Sequence, residues 1–189
     1  MRRIGLFGGS FDPPHNAHVE MARLATKEVP LDILFFVPAY EAPLKSHPPE
    51  ARMQDRLAMV NIMAAMRPEW QVLTYEIDQE RSVATIETVE YVRRQEPDAT
   101  LFLLIGADQG EQFRKWYEWE RLASMIHLIC FSRAGYTPRL PTSTAQDVIL
   151  FNSELSSSQI RELIKRGGDP AGTVPPQILS YLQNHHLYQ

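Results

Sequence analysis

The sequence of 189 residues predicts an α/β fold, in which a doubly wound parallel sheet is covered by helices on both faces. Four short apolar runs are continuous rather than alternating, which is typical of parallel strands buried on both sides. Segments with apolar residues three and four positions apart separate these runs, and this alternation predicts βαβ units. Because the length fits about one domain, we expect a single Rossmann-like domain over residues 1–189.

The predicted elements follow one another in a regular order. The strands are residues 4–7, 33–37, 101–105 and 126–131, with a weaker fifth at 148–151. The helices between them are residues 17–28, 52–66 and 84–94. Together these elements make residues 1–152 the expected α/β core.

A small C-terminal helical segment is expected at residues 153–189. Residues 156–166 have a helical pattern that Gly167-Gly168 ends, and Pro175-Pro176 opens a second helix. The apolar residues of this segment are expected to dock on the core: Leu179, Tyr181, Leu182, Leu187 and Tyr188.

The charge balance restricts the classes of partner. The chain has 19 Lys and Arg against 23 Asp and Glu, a net charge of −4. Residues 61–120 carry the excess, with 6 basic and 12 acidic groups. A net negative protein is poorly suited to coating nucleic acid, so we expect no nucleic-acid partner. Small anionic ligands remain compatible, because they bind to local groups.

The cysteine content and the first residues predict the compartment. Cys130 is the only cysteine, so no internal disulfide can form, and its apolar neighbours predict a buried thiol. The first residues lack the long apolar run of a signal peptide. No apolar run approaches the roughly 20 residues of a membrane span. We therefore expect a soluble, cytoplasmic protein without a membrane partner.

The most informative segment follows the first predicted strand: Gly8-Gly9-Ser10-Phe11-Asp12-Pro13-Pro14-His15-Asn16-Ala17-His18. The missing Cβ atoms of the two glycines are expected to let a ligand approach the backbone, and Ser10 adds a hydroxyl. A helix that starts near His15 or Asn16 would direct its N–H groups and the positive end of its dipole toward the glycines. This geometry suits a phosphate.

His15 and His18 are three residues apart, so on a helix they share a face. Two imidazoles beside a phosphate can donate hydrogen bonds to its oxygens as negative charge shifts during transfer. Two other interpretations stay open. The pair could ligate a metal, although it lacks the i, i+4 spacing and the nearby Glu of a zinc protease. It could also only cap the helix.

This segment resembles the GGTFDPPHxGH signature of bacterial nicotinate-nucleotide adenylyltransferases, which belong to the HxGH nucleotidyltransferase superfamily. Ser10 replaces the usual Thr and keeps its hydroxyl, and Ala17 replaces the usual Gly. A second resemblance is Ser156-Ser157-Ser158-Gln159-Ile160-Arg161 to the ISSTxIR signature of the same family, with Ser158 in place of Thr. From the residues alone, that segment is a hydroxyl-rich helix start with an Arg one turn in, as in an ordinary N-cap.

The resemblance extends over nearly the whole chain and implies an enzyme of NAD biosynthesis. The implied reaction transfers the adenylyl group of ATP to nicotinate mononucleotide and gives nicotinate adenine dinucleotide and pyrophosphate. The implied catalytic residues are His15, His18, Lys45 and Arg161. His18 is expected at the α-phosphate, with His15 beside it toward the leaving group.

The resemblance also implies the substrate-binding residues. Mg²⁺ is expected to arrive on the triphosphate, held mainly by phosphate oxygens and water rather than by a protein site. Besides His18 and Arg161, the candidates for ATP are Gly8, Gly9, Ser10, Phe11, Gly106, Asp108, Arg133, Ser156 and Ser157. The candidates for the mononucleotide are Gly9, Ser10, Lys45, Thr85, Trp116 and Tyr117.

Three of these candidates are expected near the pyridine end of the mononucleotide. Thr85 at a helix start suits the pyridine carboxylate, although Ala84 and Glu87 depart from the family's S-Y-T-x-D-T segment. Trp116 and Tyr117 are adjacent aromatics, which point in different directions on a helix, so one of them is expected in the core. In the family, the Trp stacks on the pyridine ring.

Alternatives remain within and outside this class. The acceptor could be nicotinamide mononucleotide or another phosphate monoester, such as phosphopantetheine. The chain could also be a non-catalytic nucleotide sensor on the same fold, since a fold hosts many functions. These motifs do not encode the choice between nicotinate and nicotinamide, nor that between monomer and homodimer.

Overall fold

The computed structural model describes residues 1–41, 47–136, 138–141 and 144–189. In this part of the chain one sheet of six parallel strands runs in the order β3-β2-β1-β4-β5-β6. This is the strand order of doubly wound dinucleotide-binding sheets, so the predicted fold class is confirmed. The strands are β1 (Arg3–Gly9), β2 (Ile33–Pro38), β3 (Trp70–Val72), β4 (Thr100–Gly106), β5 (His127–Ser132) and β6 (Gln146–Leu150).

Helices cover both faces of the sheet. Along β4, Phe102 and Leu104 belong to one hydrophobic cluster, and Leu101, Leu103 and Ile105 belong to the other. Helices α1, α2, α7 and α8 contribute to the first cluster, and α4 and α6 contribute to the second. The helices are α1 (Asn16–Glu28), α2 (Met53–Ala64), α3 (Tyr75–Asp78), α4 (Thr85–Gln95), α5 (Ala107–Gln112), α6 (Trp119–Met125), α7 (Ser157–Lys165) and α8 (Pro176–Asn184), with a short 3-10 helix, Phe113–Lys115.

The position of the reversal in winding locates the ligand crevice. The chain builds β1, β2 and β3 toward one edge, then returns to place β4 on the other side of β1. Doubly wound sheets bind ligands outside the carboxyl ends of the strands at such a switch point. Gly9 ends β1 and Gly106 ends β4 at this position.

The C-terminal residues dock on the core, as expected from their apolar pattern. Ile178, Leu182 and Tyr188 are buried in the first cluster together with Ile160 of α7. Cys130 on β5 is fully buried, and this burial raises the pKa of its thiol to about 11, with a smaller contribution from the charge of Glu111. The prediction of a buried thiol is therefore confirmed.

Within the described ranges, no helix combines the length and the apolar character that crossing a membrane requires.

Candidate active site

The two glycines that end β1 differ in what surrounds the place of their missing Cβ atoms. A Cβ on Gly8 would meet no atom within 4 Å, so the backbone is open to a ligand there. A Cβ on Gly9 would lie 3.1 Å from the Phe11 ring, so Gly9 makes room for that ring. Phe11 is 1% exposed and has a left-handed backbone, with φ 47°. The missing Cβ of Gly9 therefore makes room for the Phe11 ring, which belongs to the core, whereas the missing Cβ of Gly8 leaves its backbone open.

The two signature histidines lie together at the start of α1. His15 is the extended N-cap, with φ −145°, and His18 is in the first turn. Their rings stack with centroids 3.8 Å apart and an interplanar angle of 26°. The backbone N–H of His15 donates to Nδ1 of His18 at 3.2 Å. Because Nδ1 is an acceptor, neutral His18 carries its proton on Nε2, which is then a hydrogen-bond donor.

Aromatic side chains hold the His18 ring. The ring centroids of Phe7 and Phe11 lie 5.8 Å and 5.0 Å from that of His18. Together with the stacked His15, these rings restrict the rotation of the imidazole. The two histidines therefore share a face, as their spacing predicted. Packing against the neighbouring rings fixes the orientation of His18.

His15 is neutral at physiological pH. It is 5% exposed, and its burial lowers the pKa of the imidazole from 6.5 to about 4, against a smaller raising contribution from its backbone hydrogen bond. Its buried Nδ1 has no hydrogen-bond partner among the residues that the structure describes. His15 therefore contributes a neutral imidazole rather than a positive charge.

The low pKa of His15 predicts a loss of stability in acid. Above pH 6.5 both the folded and the unfolded state hold His15 neutral; below it, only the unfolded state takes up the proton. The free energy of unfolding is thus expected to fall by up to about 3 kcal/mol between pH 6.5 and pH 4. Urea unfolding of His15→Gln beside the parent chain checks this result. An identical loss in both proteins contradicts it.

The N-terminus of α1 is partly occupied by another loop. The backbone N–H of Asn16 donates to the Thr173 carbonyl at 2.9 Å, and its side-chain amide donates to the Gly172 carbonyl at 2.8 Å. The first turn of α1 was expected to direct its N–H groups at the glycines. For Asn16 this expectation is wrong, because the segment before α8 accepts that hydrogen bond.

The second signature meets the first at the start of α7. The Ser156 hydroxyl accepts a hydrogen bond from the Gln159 N–H at 3.3 Å, which caps the helix. The Ser157 hydroxyl donates to the Pro13 carbonyl at 2.9 Å, and Nη1 of Arg161 donates to the Asp12 carbonyl at 2.8 Å. Residues about 145 positions apart in sequence thus form one surface. Lys45, the other expected phosphate ligand, lies outside the described residues.

Arg161 is held by two carboxylates. Its Nε donates to Oε1 of Glu50 at 2.8 Å, and its Nη1 lies 3.5 Å from Oδ2 of Asp12. Lys165, one turn further along α7, pairs with Oε2 of Glu50 at 2.7 Å. The side chain of Arg161 is 18% exposed. A triphosphate at this position would share Arg161 with Glu50 or displace Glu50 from it.

A buried arginine fixes the loops around the site. Arg56 is 2% exposed and donates to the carbonyls of Ser10 at 2.8 Å, Ala39 at 2.6 Å and Tyr40 at 3.1 Å. These carbonyls follow β1 and β2, so one side chain ties together the ends of two strands. No sequence motif pointed to Arg56. Its spacing from the buried Met59, Val60 and Met63 placed it on the buried face of α2.

The candidates that follow β4 and β5 lie at the same edge of the sheet. Gly106 precedes α5, and a Cβ there would meet no atom within 4 Å. Asp108 is in the first turn of α5, and Arg133 follows β5 directly; both are exposed. Because the strands are parallel, these residues face the crevice edge to which β1 delivers the signature turn.

The two adjacent aromatics lie in a turn between the 3-10 helix and α6, so the expectation that they are helical is wrong. Trp116 packs on Phe113, with ring centroids 5.1 Å apart, and belongs to the rim of the second cluster. Tyr117 is 66% exposed. The expectation that one of the pair packs on the core is confirmed for Trp116.

Thr85 opens α4 and is half-buried, as its predicted place at a helix start requires. One turn further, the Thr88 hydroxyl donates to Oε1 of Glu76 at 2.8 Å. Glu76 is 8% exposed on α3, and its burial raises the pKa of its carboxyl to about 7, against the lowering effect of the Thr88 hydrogen bond. The sequence gives no signal for this pair, because α3 has only four residues.

The raised pKa of Glu76 predicts a loss of stability in base. The folded state favours the protonated carboxyl of Glu76. The contribution of this group to the free energy of unfolding is therefore full below pH 4.5 and is lost as the pH rises through 7. Glu76→Gln keeps a neutral acceptor for Thr88. We expect it to be more stable than the parent chain by up to about 3 kcal/mol at pH 8 and nearly equal at pH 4.5. Urea unfolding at both pH values measures this; a less stable variant at pH 8 refutes it.

A metal site at the histidine pair would need a third protein ligand, and the described part of the chain provides none. There, no group of three or more His, Cys, Asp or Glu side chains is placed to hold a metal ion.

Comparison with known proteins agrees with this arrangement. Residues 6–163 match the family described as cytidylyltransferase-like. A probable nicotinate-nucleotide adenylyltransferase from Bacillus pumilus is 35% identical over 190 residues, which cover 100% of both chains. The nicotinate-nucleotide adenylyltransferase of Bacillus subtilis is 32% identical over 190 residues, with the same coverage.

Solved structures share the fold. The nicotinic acid mononucleotide adenylyltransferase of Plasmodium falciparum, complexed with NaAD, superposes with a TM-score of 0.80 at 18% identity and covers 100% of this chain and 98% of its own. The sequence relatives match over their full length at more than 30% identity. The chain therefore belongs to the nicotinate-nucleotide adenylyltransferase family of the cytidylyltransferase-like proteins.

Proposed function

We propose that this chain transfers the adenylyl group of ATP to nicotinate mononucleotide and releases pyrophosphate, a step of NAD biosynthesis. The observation that carries the proposal is the stacked His15 and His18 pair at the carboxyl end of β1, with Arg161 in contact with the same turn. The activity after which the full-length relatives are named supports the same reaction.

The reaction needs alignment and charge neutralisation rather than a base. The phosphate of the mononucleotide has its second pKa at about 6, so it is largely ionised near neutral pH. One of its oxygens attacks the α-phosphorus of ATP in line and forms the new P–O bond. The bond from the α-phosphorus to the bridging oxygen breaks, and pyrophosphate leaves.

The histidine pair supplies hydrogen-bond donors for this transfer. His18 presents Nε2–H, because its Nδ1 accepts the backbone hydrogen bond of His15. In this proposal Nε2–H donates to a non-bridging oxygen of the α-phosphate, where negative charge grows in the transition state. His15 lies beside it toward the leaving group and keeps the His18 ring in place by stacking.

In the same proposal, the start of α7 and Lys45 bind the β- and γ-phosphates of ATP. Ser156 and Ser157 begin the helix, and Arg161 supplies a guanidinium. Helix N-termini and guanidinium groups both suit phosphate oxygens. Gly8, Gly9, Ser10, Gly106, Asp108 and Arg133 complete the assigned ATP surface at the strand ends, with Phe11 contributing through its backbone.

The acceptor is assigned to the α4 side of the crevice. Thr85 at the start of α4 receives the pyridine carboxylate, and Trp116 and Tyr117 provide aromatic surface. Gly9, Ser10 and Lys45 complete this proposed mononucleotide surface. Mg²⁺ is proposed to enter on the triphosphate, where it neutralises phosphate charge. We further propose that residues 1–189 act as one cytoplasmic catalytic domain.

Pyrophosphate release tests the proposal. The purified chain is incubated with ATP and Mg²⁺ and with one acceptor at a time: nicotinate mononucleotide, nicotinamide mononucleotide or phosphopantetheine. We expect rapid release with the first and little with the others, and loss of activity when EDTA removes Mg²⁺. ATP binding without release from any acceptor would indicate a nucleotide sensor and refute the proposal.

A further inference from the structure

The carboxylate of Asp12, inside the first signature, joins four segments of the chain. It is 4% exposed. Its Oδ1 accepts hydrogen bonds from the Ala51 N–H at 3.0 Å and from the Tyr188 hydroxyl at 2.8 Å. Its Oδ2 accepts one from the Glu50 N–H at 2.8 Å and lies 3.5 Å from Nη1 of Arg161. A buried charge of this kind is tolerated only while its donors remain in place.

Packing and backbone conformation hold Tyr188 beside Asp12. It is 9% exposed and belongs to the same hydrophobic cluster as Phe11 and Ile160. Its backbone and that of His186 are left-handed, with φ 63° and 50°, a conformation that non-glycine residues rarely adopt. Burial and the charge of Asp12 both raise the pKa of its hydroxyl, so it remains a proton donor.

The guanidinium of Arg161 contacts Asp12 on one side and Glu50 on the other. Its Nη1 donates a hydrogen bond to the main-chain carbonyl of Asp12 at 2.8 Å and lies 3.5 Å from the carboxylate of the same residue. Without the Tyr188 hydroxyl, Oδ1 keeps one donor, and the uncompensated charge attracts the nearest cation more strongly. Among the described residues that cation is Arg161, which would turn inward and away from a bound phosphate.

We propose that Tyr188 is a positioning residue for ATP: its hydrogen bond to Asp12 keeps the Arg161 guanidinium directed at the triphosphate. The inference rests on the proposed function, because it takes Arg161 as a phosphate ligand. The segment after α8 lies outside both signatures, and this inference adds it to the residues that bind ATP.

A matched pair of variants tests this role. Tyr188→Phe removes the donor to Asp12, while Tyr181→Phe removes a similar hydroxyl that donates to Oδ1 of Asp55 at 3.1 Å. The measurement is calorimetric titration with α,β-methylene ATP and Mg²⁺, together with the KM for nicotinate mononucleotide. We expect Tyr188→Phe to weaken binding of the analogue about five- to tenfold and Tyr181→Phe less than about twofold. The KM for the mononucleotide should stay within about twofold in both.

A double-mutant cycle isolates the route through Arg161. In an Arg161→Gln background, Tyr188→Phe should change the affinity for the analogue by less than about twofold, because the residue it positions is gone. An equal loss in both backgrounds overturns the inference. So does unchanged binding in Tyr188→Phe, or equal weakening by Tyr181→Phe, which would indicate a purely structural role.

A second pair keeps the test decisive if Tyr188→Phe does not fold. Tyr188→4-aminophenylalanine and Tyr188→4-methylphenylalanine fill the same space, and only the first donates a hydrogen bond. The first should bind the analogue like the parent chain, and the second should bind it more weakly; equal affinities overturn the inference. Because the calorimetric titration with the ATP analogue needs no acceptor, a parent chain that makes no product from nicotinate mononucleotide would contradict the proposed function alone.

Discussion

His18→Ala is expected to lower kcat by about two to three orders of magnitude. The substitution removes the Nε2–H donor that meets the growing charge on the α-phosphate, and one such donor contributes about 2.7–4 kcal/mol to transition-state stabilisation. The melting temperature should change by only a few degrees, because the lost ring is partly exposed and the hydrogen bond to its Nδ1 comes from the backbone of the neighbouring N-cap residue. Steady-state pyrophosphate release and a thermal melt measure the two effects.

His127→Ala is the control for this experiment. His127 is exposed and lies at the start of β5, at the opposite end of the sheet from the signature turn. It should retain the kcat of the parent chain. Near-normal turnover in His18→Ala, or an equal loss in both variants, would remove His18 from the mechanism.

Arg56→Met is expected to have the largest effect on stability. The variant keeps apolar bulk but leaves three carbonyls without their donor, those of Ser10, Ala39 and Tyr40. Each buried unsatisfied group costs about 1–3 kcal/mol, so three of them predict a loss of about 3–9 kcal/mol and a fall in melting temperature of at least about 6 °C. Arg56→Lys should rescue little, because one ammonium group cannot reproduce the planar guanidinium geometry.

Arg52→Met provides the comparison on the same helix start. The Arg52 side chain is 79% exposed and pairs with Asp55 at 2.9 Å. The side chain of Asp55 is 4% exposed but keeps the Tyr181 hydroxyl as a donor, so we expect Arg52→Met to lose less than about 2 kcal/mol in urea unfolding, clearly less than Arg56→Met. Equal losses in Arg52→Met and Arg56→Met would show that the three carbonyls do not depend on Arg56.

Local patterns predicted the fold and the position of the site. Continuous apolar runs define buried parallel strands whatever their partners are, so β1, β2, β4, β5 and β6 could be found from sequence. The 3-residue spacing of His15 and His18 fixes a shared helical face in the same way. The three residues of β3 and the four of α3 were missed, because they are too short to show a period.

Contacts between distant segments could not be predicted from these patterns. The Tyr188 hydroxyl meets Asp12 across 176 positions, and Arg161 meets Glu50 across 111. No local period encodes such pairs; they exist because α7 and the segment after α8 dock on the signature turn. The low pKa of His15 follows from its burial in the folded chain, which no local period encodes either.

The most direct test of the central claim is the ratio of kcat/KM for nicotinate mononucleotide to that for nicotinamide mononucleotide, with saturating ATP and Mg²⁺. The acceptors differ only in a carboxylate against an amide, so the ratio reports recognition of that group. We expect the nicotinate form to be favoured by at least about 100-fold. A ratio near one, or one that favours the amide, would contradict the assignment of this chain to nicotinate mononucleotide.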